Sequence, residues 1–93
     1  MRWRLFATLA ETAGSDELVV PIERENPTVR DAVDALVATH PELESAVLDQ
    51  QGNLQSHINL LYDGQDPFRE ADGWETPVAK EGELALFPPV TGG

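Results

Sequence analysis

The chain has 93 residues, 41% of them hydrophobic, which suits one small globular domain with a modest core. Seventeen acidic against six basic residues give a net charge of −11, which argues against nucleic-acid binding through phosphate contacts. The absence of cysteine excludes disulfides, thiolate metal sites and cysteine nucleophiles. Since we recognise neither a membrane-spanning run nor a signal peptide, we predict a cytoplasmic protein that contacts no membrane.

The first third of the chain predicts a β-hairpin. Residues 2–9 alternate well enough for a first strand, and residues 17–22 are its antiparallel partner after a turn at residues 13–16. One face of the first strand would carry Trp3, Leu5 and Ala7. The opposite face would carry Arg2, Arg4 and Phe6.

A helix follows the hairpin. Thr28 is a favourable N-cap, and Asp31 can complete a capping box with it. Apolar residues at helical spacing over residues 29–37 form one stripe, and His40-Pro41 ends the helix because the residue before proline avoids the helical region. Residues 42–48 predict a further short helical turn that buries Leu43 and Val47.

The last third predicts strands separated by a long loop. Residues 58–62 form a third strand, residues 65–77 read as a polar loop, residues 76–79 favour a short edge strand, and residues 83–87 form the final strand. This order predicts an α+β fold, with a mixed four- to five-stranded sheet and one main helix packed on one face.

The opposite sheet face would then be uncovered. Phe6, Leu61 and Phe87 are each out of phase with the core residues of their strands, so they would share this face if the first, third and last strands are neighbours. Such an apolar cluster favours a partner-docking surface. The alternative is that singly exposed apolar residues are normal, or that the loop at residues 65–77 covers them.

The residues after the final strand form a distinctive tail. Pro88 and Pro89 cannot donate a backbone hydrogen bond and favour an extended exit from the sheet. Val90 and Thr91 follow, and Gly92-Gly93 is slim enough to enter a narrow channel. A stiff spacer with a bare carboxylate suits delivery of Gly93 into the active site of another protein, although Gly-rich ends are also commonly disordered.

The remainder of the sequence offers no self-contained catalytic site. His40 and His57 have no neighbours at metal-ligand spacing, so we predict no metal site. The best reactive group is therefore the Gly93 carboxylate, which needs activation by a partner enzyme, for example as an acyl-adenylate.

Several segments together are characteristic of one family: Arg4-Leu5-Phe6-Ala7-Thr8-Leu9-Ala10-Glu11, Thr28-Val29-Arg30-Asp31-Ala32, His57-Ile58-Asn59, Asp63-Gly64 and Gly82-Glu83-Leu84-Ala85-Leu86-Phe87-Pro88-Pro89-Val90-Thr91-Gly92-Gly93. With them the chain resembles the ubiquitin-like β-grasp sulfur carriers, in particular the small subunit of molybdopterin synthase (MoaD-like) and the small archaeal modifier proteins. The resemblance implies a β-grasp domain over residues 1–87 and a flexible tail over residues 88–93.

The resemblance also implies a carrier that is not an enzyme and holds no cofactor. An E1-like activating enzyme would consume ATP to adenylate Gly93, and a sulfur donor would convert it to a thiocarboxylate. The large subunit of molybdopterin synthase would use that sulfur to make molybdopterin. By family position, Phe6, Phe87 and the tail would contact the activating enzyme, and Phe68 would join them.

Two other roles stay open at this point. The same tail could be joined to lysines of target proteins, which is the role of a ubiquitin-like modifier, and one chain could do both. A plain β-grasp binding module would need no tail at all.

The acidic composition favours a salt-loving source, because such a surface keeps a small protein soluble where salt screens charge strongly. The alternative is a solvated acidic face that meets a basic partner. If the chain comes from a salt-rich source, its thermal stability should rise in molar KCl, because salt screens the repulsion among its carboxylates. Thermal unfolding followed across KCl concentrations measures this, and a melting temperature that failed to rise would contradict it.

Overall fold

The sheet has the last strand of the chain at its centre. The structure, a computed structural model, describes residues 1–88. Four strands, β1 (Arg2–Leu5), β2 (Glu17–Val19), β3 (Asn59–Tyr62) and β4 (Glu83–Phe87), lie in the order β2-β1-β4-β3. β4 pairs parallel with β1 and antiparallel with β3, and β1 pairs antiparallel with β2. The first, last and third strands are therefore neighbours, which is the condition under which Phe6, Leu61 and Phe87 share one face.

The main helix, α2 (Val29–Thr39), begins as the sequence predicts. Thr28 accepts a hydrogen bond from the backbone of Asp31, and the Asp31 carboxylate accepts one from the Thr28 backbone at 2.9 Å. This capping box satisfies two amide groups that the first turn would leave unpaired. The apolar stripe of α2 is buried against the sheet and consists of Val29, Ala32, Val33 and Leu36.

A short helical segment extends the covered face of the sheet. A 3₁₀ turn over Pro41–Leu43 leads directly into α3 (Glu44–Val47). Leu43 and Val47 are both fully buried, which confirms the short helical turn predicted for residues 42–48. The described helices are each shorter or more polar than a bilayer-spanning helix requires.

The hairpin is shorter than predicted and contains an unpredicted helix. β1 ends at Leu5, and the chain enters α1 (Thr8–Ala13) through Ala7, whose φ of 53° interrupts the strand alternation. Ala7 is consequently exposed and does not share the core face with Trp3 and Leu5. The second strand stops at Val19 because Pro21 has no amide hydrogen to continue the ladder.

The segment at residues 65–77 is also more ordered than a loop. Asp66 caps α4 (Pro67–Glu70) by accepting a hydrogen bond from Phe68 N at 2.9 Å, and a 3₁₀ turn follows at Gly73–Glu75. The edge strand expected at residues 76–79 is wrong. It is reduced to an isolated bridge between Thr28 and Pro77, since proline cannot sustain a ladder.

The core lies between the sheet and α2. Its largest fully buried side chains come from both layers and are Trp3, Leu5, Leu36, Leu43, Leu60, Leu84 and Leu86. Each leucine removed from water in this way contributes about 1.5–3 kcal/mol to stability. The alternate residues of β4 point away from this core, and they form the face on which the candidate site lies.

Candidate functional site at the root of the tail

The pairing registers define an uncovered sheet face, which we call the open face. In the row nearest the tail, Phe87 pairs with Asn59 on one side. In the next row, Ala85 lies between Arg4 and Leu61. Side chains of paired residues point to the same side of a sheet, so these rows form a continuous surface opposite α2.

Two aromatic rings mark the end of the open face from which the tail leaves. Leu5 pairs with Leu86 in the parallel ladder, so the next residues, Phe6 and Phe87, are side by side. Their rings stack with centroids 4.4 Å apart and planes 12° from parallel. Such a pair contributes about 0.5–1.5 kcal/mol beyond burial. Phe6 nevertheless stays 37% exposed, so the stack presents apolar surface to solvent.

A strained residue follows Phe6. Ala7 has φ 53° and ψ −126°, a combination that suits glycine much better than an L-residue with a Cβ. A non-glycine residue in such a region costs about 1–3 kcal/mol and persists only where its surroundings impose it. Here the chain turns from β1 into α1, and the Leu9 N–H donates to the Phe6 carbonyl at 3.1 Å.

The charges on the open face are balanced, unlike those of the chain as a whole. Its strand residues include two acids, Glu17 and Glu83, and Arg2 approaches them at 3.9 and 3.6 Å. Arg4 lies 6.0 Å from the Phe6 ring centroid and makes no ion pair with any described residue. The open face thus combines apolar area with the guanidinium of Arg4, which has no described ion-pair partner, in a protein of net charge −11.

The predicted partner-binding residues do not all come together. Phe6 and Phe87 are in contact, and Leu61 lies on the same face one row away, half-buried. Phe68 is different. Its ring packs edge-on against that of Trp74, with the ring centroids 5.2 Å apart. The Trp74 ring in turn stacks against the guanidinium of Arg30 in α2. Phe68 therefore belongs to a separate aromatic cluster beside the helix layer.

The tail itself is described only at its first residue. Pro88 follows β4 and is half-buried. The predicted reactive and tail residues Pro89, Val90, Thr91, Gly92 and Gly93 lie outside the described residues. Their assignment therefore stays a prediction.

The rest of residues 1–88 shows no competing reaction centre. No group of three or more acidic or histidine side chains in this part of the chain could hold a metal ion. His40 caps α2 and lies 3.4 Å from Glu42, and His57 is exposed just before β3.

Sequence reasoning misses the roles of two residues of the site. Alternation places Arg4 on the side of the strand opposite the core, but nothing in the pattern marks it as unpaired. Strict alternation continued past Leu5 places Ala7 on the core face, where the structure does not have it. The overlooked signal was Thr8-Leu9-Ala10-Glu11, which is compatible with helix and places Leu9 in the core.

The strain at Ala7 is testable by substitution. We expect Ala7→Gly to raise the free energy of unfolding by about 1 kcal/mol, because relief of strain outweighs the extra freedom of glycine in the unfolded chain. Ala10→Gly, within α1, is the matched control and should lower it by about 1 kcal/mol. Urea denaturation measures both. Equal destabilisation by the two substitutions would show that Ala7 is unstrained.

The comparisons with known proteins agree with this architecture. A model described as the ThiS family matches residues 3–93. Small archaeal modifier protein 1 from Haloferax volcanii is 50% identical over 93 residues, covering 100% of both chains. The crystal structure of small archaeal modifier protein 1 from that organism superposes with a TM-score of 0.87 at 47% identity, covering 100% of this chain and 98% of the other.

A solution structure extends the likeness to another archaeon. Small archaeal modifier protein 1 from Methanosarcina acetivorans has a TM-score of 0.78 at 32% identity, covering 99% of this chain and 94% of that one. The matches confirm the β-grasp fold, and they confirm a small carrier or modifier protein rather than an enzyme. The chain belongs to the ThiS family and is similar over its full length to small archaeal modifier protein 1.

Proposed function

We propose that this protein is a ubiquitin-like sulfur carrier whose Gly93 carboxylate is adenylated by an E1-like enzyme and converted to a thiocarboxylate. The observation that carries the proposal is the Phe6–Phe87 stack at the exit of the central strand. The stack is an exposed apolar surface at the end of β4, directly before the tail. A partner that docks on the stack therefore holds the first residue of the tail in a fixed position.

The chemistry requires only that the tail reach the active site of the partner. A Gly93 carboxylate oxygen attacks the α-phosphorus of ATP, forming an acyl-adenylate and releasing pyrophosphate. A sulfur donor at the sulfide level then attacks the acyl carbon, and AMP leaves with the electron pair of the broken C–O bond. The partner enzyme supplies the nucleotide site and the oxyanion stabilisation.

The open face is suited to docking by its charge as well as by its exposed apolar side chains. An acidic partner is repelled less here than a net charge of −11 would suggest, because Arg2 and Arg4 together offset Glu17 and Glu83. The Arg4 guanidinium can then pair with a carboxylate or carbonyl of the partner. We assign Phe6, Leu61 and Phe87 to this docking face and leave Phe68 out of it, since Phe68 packs beside α2.

Two uses of the activated tail follow from the proposal. In the first, the large subunit of molybdopterin synthase takes the tail and uses its sulfur in molybdopterin synthesis. In the second, a lysine amine captures the acyl group and the protein becomes a modifier of target proteins. The second use is favoured by the relative that is 50% identical, which is described as a modifier protein. One tail can serve both uses, because both begin with the same adenylate.

The docking face is tested by the kinetics of adenylation. With the activating enzyme of the same host and ATP, pyrophosphate release is measured against the concentration of this protein. Phe6→Ala should raise the KM about tenfold or more, as expected for loss of an interfacial aromatic worth about 1.4–2 kcal/mol.

Phe68→Ala is the matched control, because Phe68 is 39% exposed and Phe6 is 37% exposed. It should leave the KM within about twofold of the wild-type value. Circular dichroism confirms that both variants are folded. A KM that responds to Phe68→Ala and not to Phe6→Ala would move the docking face to the aromatic cluster beside α2.

A further inference from the structure

Lys80 is the only lysine in the chain, and the structure exposes it. It lies in the turn at residues 79–82, directly before the central strand β4. In the described part of the chain no carboxylate forms an ion pair with it. The Lys80 amine is therefore not engaged by a described carboxylate, although the chain has seventeen acidic residues.

The turn that carries Lys80 is firmly held. The Ala79 amide donates to the Tyr62 hydroxyl at 2.7 Å, the Gly82 amide donates to the Ala79 carbonyl at 3.0 Å, and the Gly82 carbonyl accepts from Arg2 N. A Cβ placed on Gly82 would lie 2.7 Å from Tyr62 Cε1, so the tyrosine ring packs closely on this turn. The backbone is therefore fixed while the lysine side chain extends into solvent.

The amine at Met1 is in a different situation. It donates to the Val20 carbonyl at 3.1 Å, and Met1 is only 7% exposed. The Met1 carbonyl also accepts a hydrogen bond from Val20 N at 2.9 Å. Of these two amines, only Lys80 presents itself to another protein without local unfolding.

Lys80 is also well separated from the docking face. The turn precedes the first residue of β4, whereas the Phe6–Phe87 stack is at its last residue. Five residues of strand span roughly 13 Å between their first and last Cα atoms. A protein joined to Lys80 would leave the stack and the tail of the acceptor accessible.

We propose that Lys80 is a modification site that accepts the activated C-terminal acyl group of a second copy of this chain. The neutral Nζ attacks the Gly93 carbonyl carbon of the second copy's acyl-adenylate. The new C–N bond forms, the C–O bond to AMP breaks, AMP leaves with its electron pair and the amine loses a proton to solvent. Each linkage leaves one free tail and one free Lys80, so copies can join end to end. This inference rests on the proposed activation of Gly93.

The test uses the full chain, the activating enzyme of the same host and ATP in molar KCl, where the Debye length of about 3 Å suppresses repulsion between acidic copies. Equal amounts of ¹⁴N- and ¹⁵N-labelled protein are mixed, and pyrophosphate release is recorded in parallel. We expect a ladder of species at multiples of the monomer mass. Lys80→Arg should abolish the ladder while leaving the first-turnover burst of pyrophosphate unchanged, because adenylation precedes the transfer to Lys80.

Trypsin digestion identifies the linkage. The last tryptic site before the tail is Lys80 itself, so a modified Lys80 blocks cleavage and the stem peptide covers residues 70–93. The branch from the second copy covers residues 81–93. If the bond joins two copies, some cross-linked peptides should combine a ¹⁴N-labelled stem with a ¹⁵N-labelled branch, or the reverse.

Three results would overturn the inference. Pyrophosphate release without a ladder would leave the proposed activation intact and remove Lys80 as an acceptor. A ladder that persists in Lys80→Arg, with the branch on Met1, would move the acceptor to that amine. A monomer lighter by one water, whose tryptic peptide 70–93 is also lighter by one water and carries no branch, would mean that the tail closes on its own chain. Failure of pyrophosphate release would instead refute the activation step on which both proposals depend.

Discussion

The parallel pairing of β4 with β1 is the constraint on which the rest of the molecule depends. It places the last strand of the chain between the first strand and β3, so the tail leaves from the centre of the sheet. It also sets Phe6 beside Phe87, because Leu5 and Leu86 are paired one residue earlier. A shift of this register by one residue would turn Phe87 towards the core and Leu86 towards solvent. The fold thereby determines what surface surrounds the start of the tail.

Much of this arrangement could be predicted because it depends on local rules. The capping box at Thr28 and Asp31 and the alternation in β4 each need only neighbouring residues. The open face could be predicted as well, since Phe6, Leu61 and Phe87 are all out of phase with the core.

The features that were missed depend on tertiary context. Ala7 adopts a positive φ that no alanine prefers, and that conformation is imposed by the passage from β1 into α1 over the buried Leu9. The two short helices within residues 65–77 are too short to be stable alone. Trp74 is held in position by the Arg30 guanidinium, whose Cζ lies 4.0 Å from the centroid of the Trp74 ring. Pairing of that kind cannot be read from hydrophobic periodicity.

Charge divides the surface into two regions with different roles. Acidic residues outnumber basic ones by seventeen to six, a composition that favours a salt-rich source. The relative from Haloferax volcanii comes from a halophile. The open face departs from this pattern, because Arg2 is placed between two carboxylates and Arg4 is left available. Lys80 is a second exception at the other end of β4. The acidic surface repels other acidic proteins, and the two exceptions are where we propose that this protein meets its partners.

In the proposed function, the tail beyond this sheet carries a Gly93 carboxylate that a partner enzyme activates. Intact mass spectrometry of the protein purified from its native host under non-reducing conditions tests it most directly. We expect a population whose mass is raised by the replacement of one oxygen by sulfur, with the change located at Gly93. Only the unmodified carboxylate, with no conjugates, even after incubation with the activating enzyme, ATP and a sulfur donor, would contradict it.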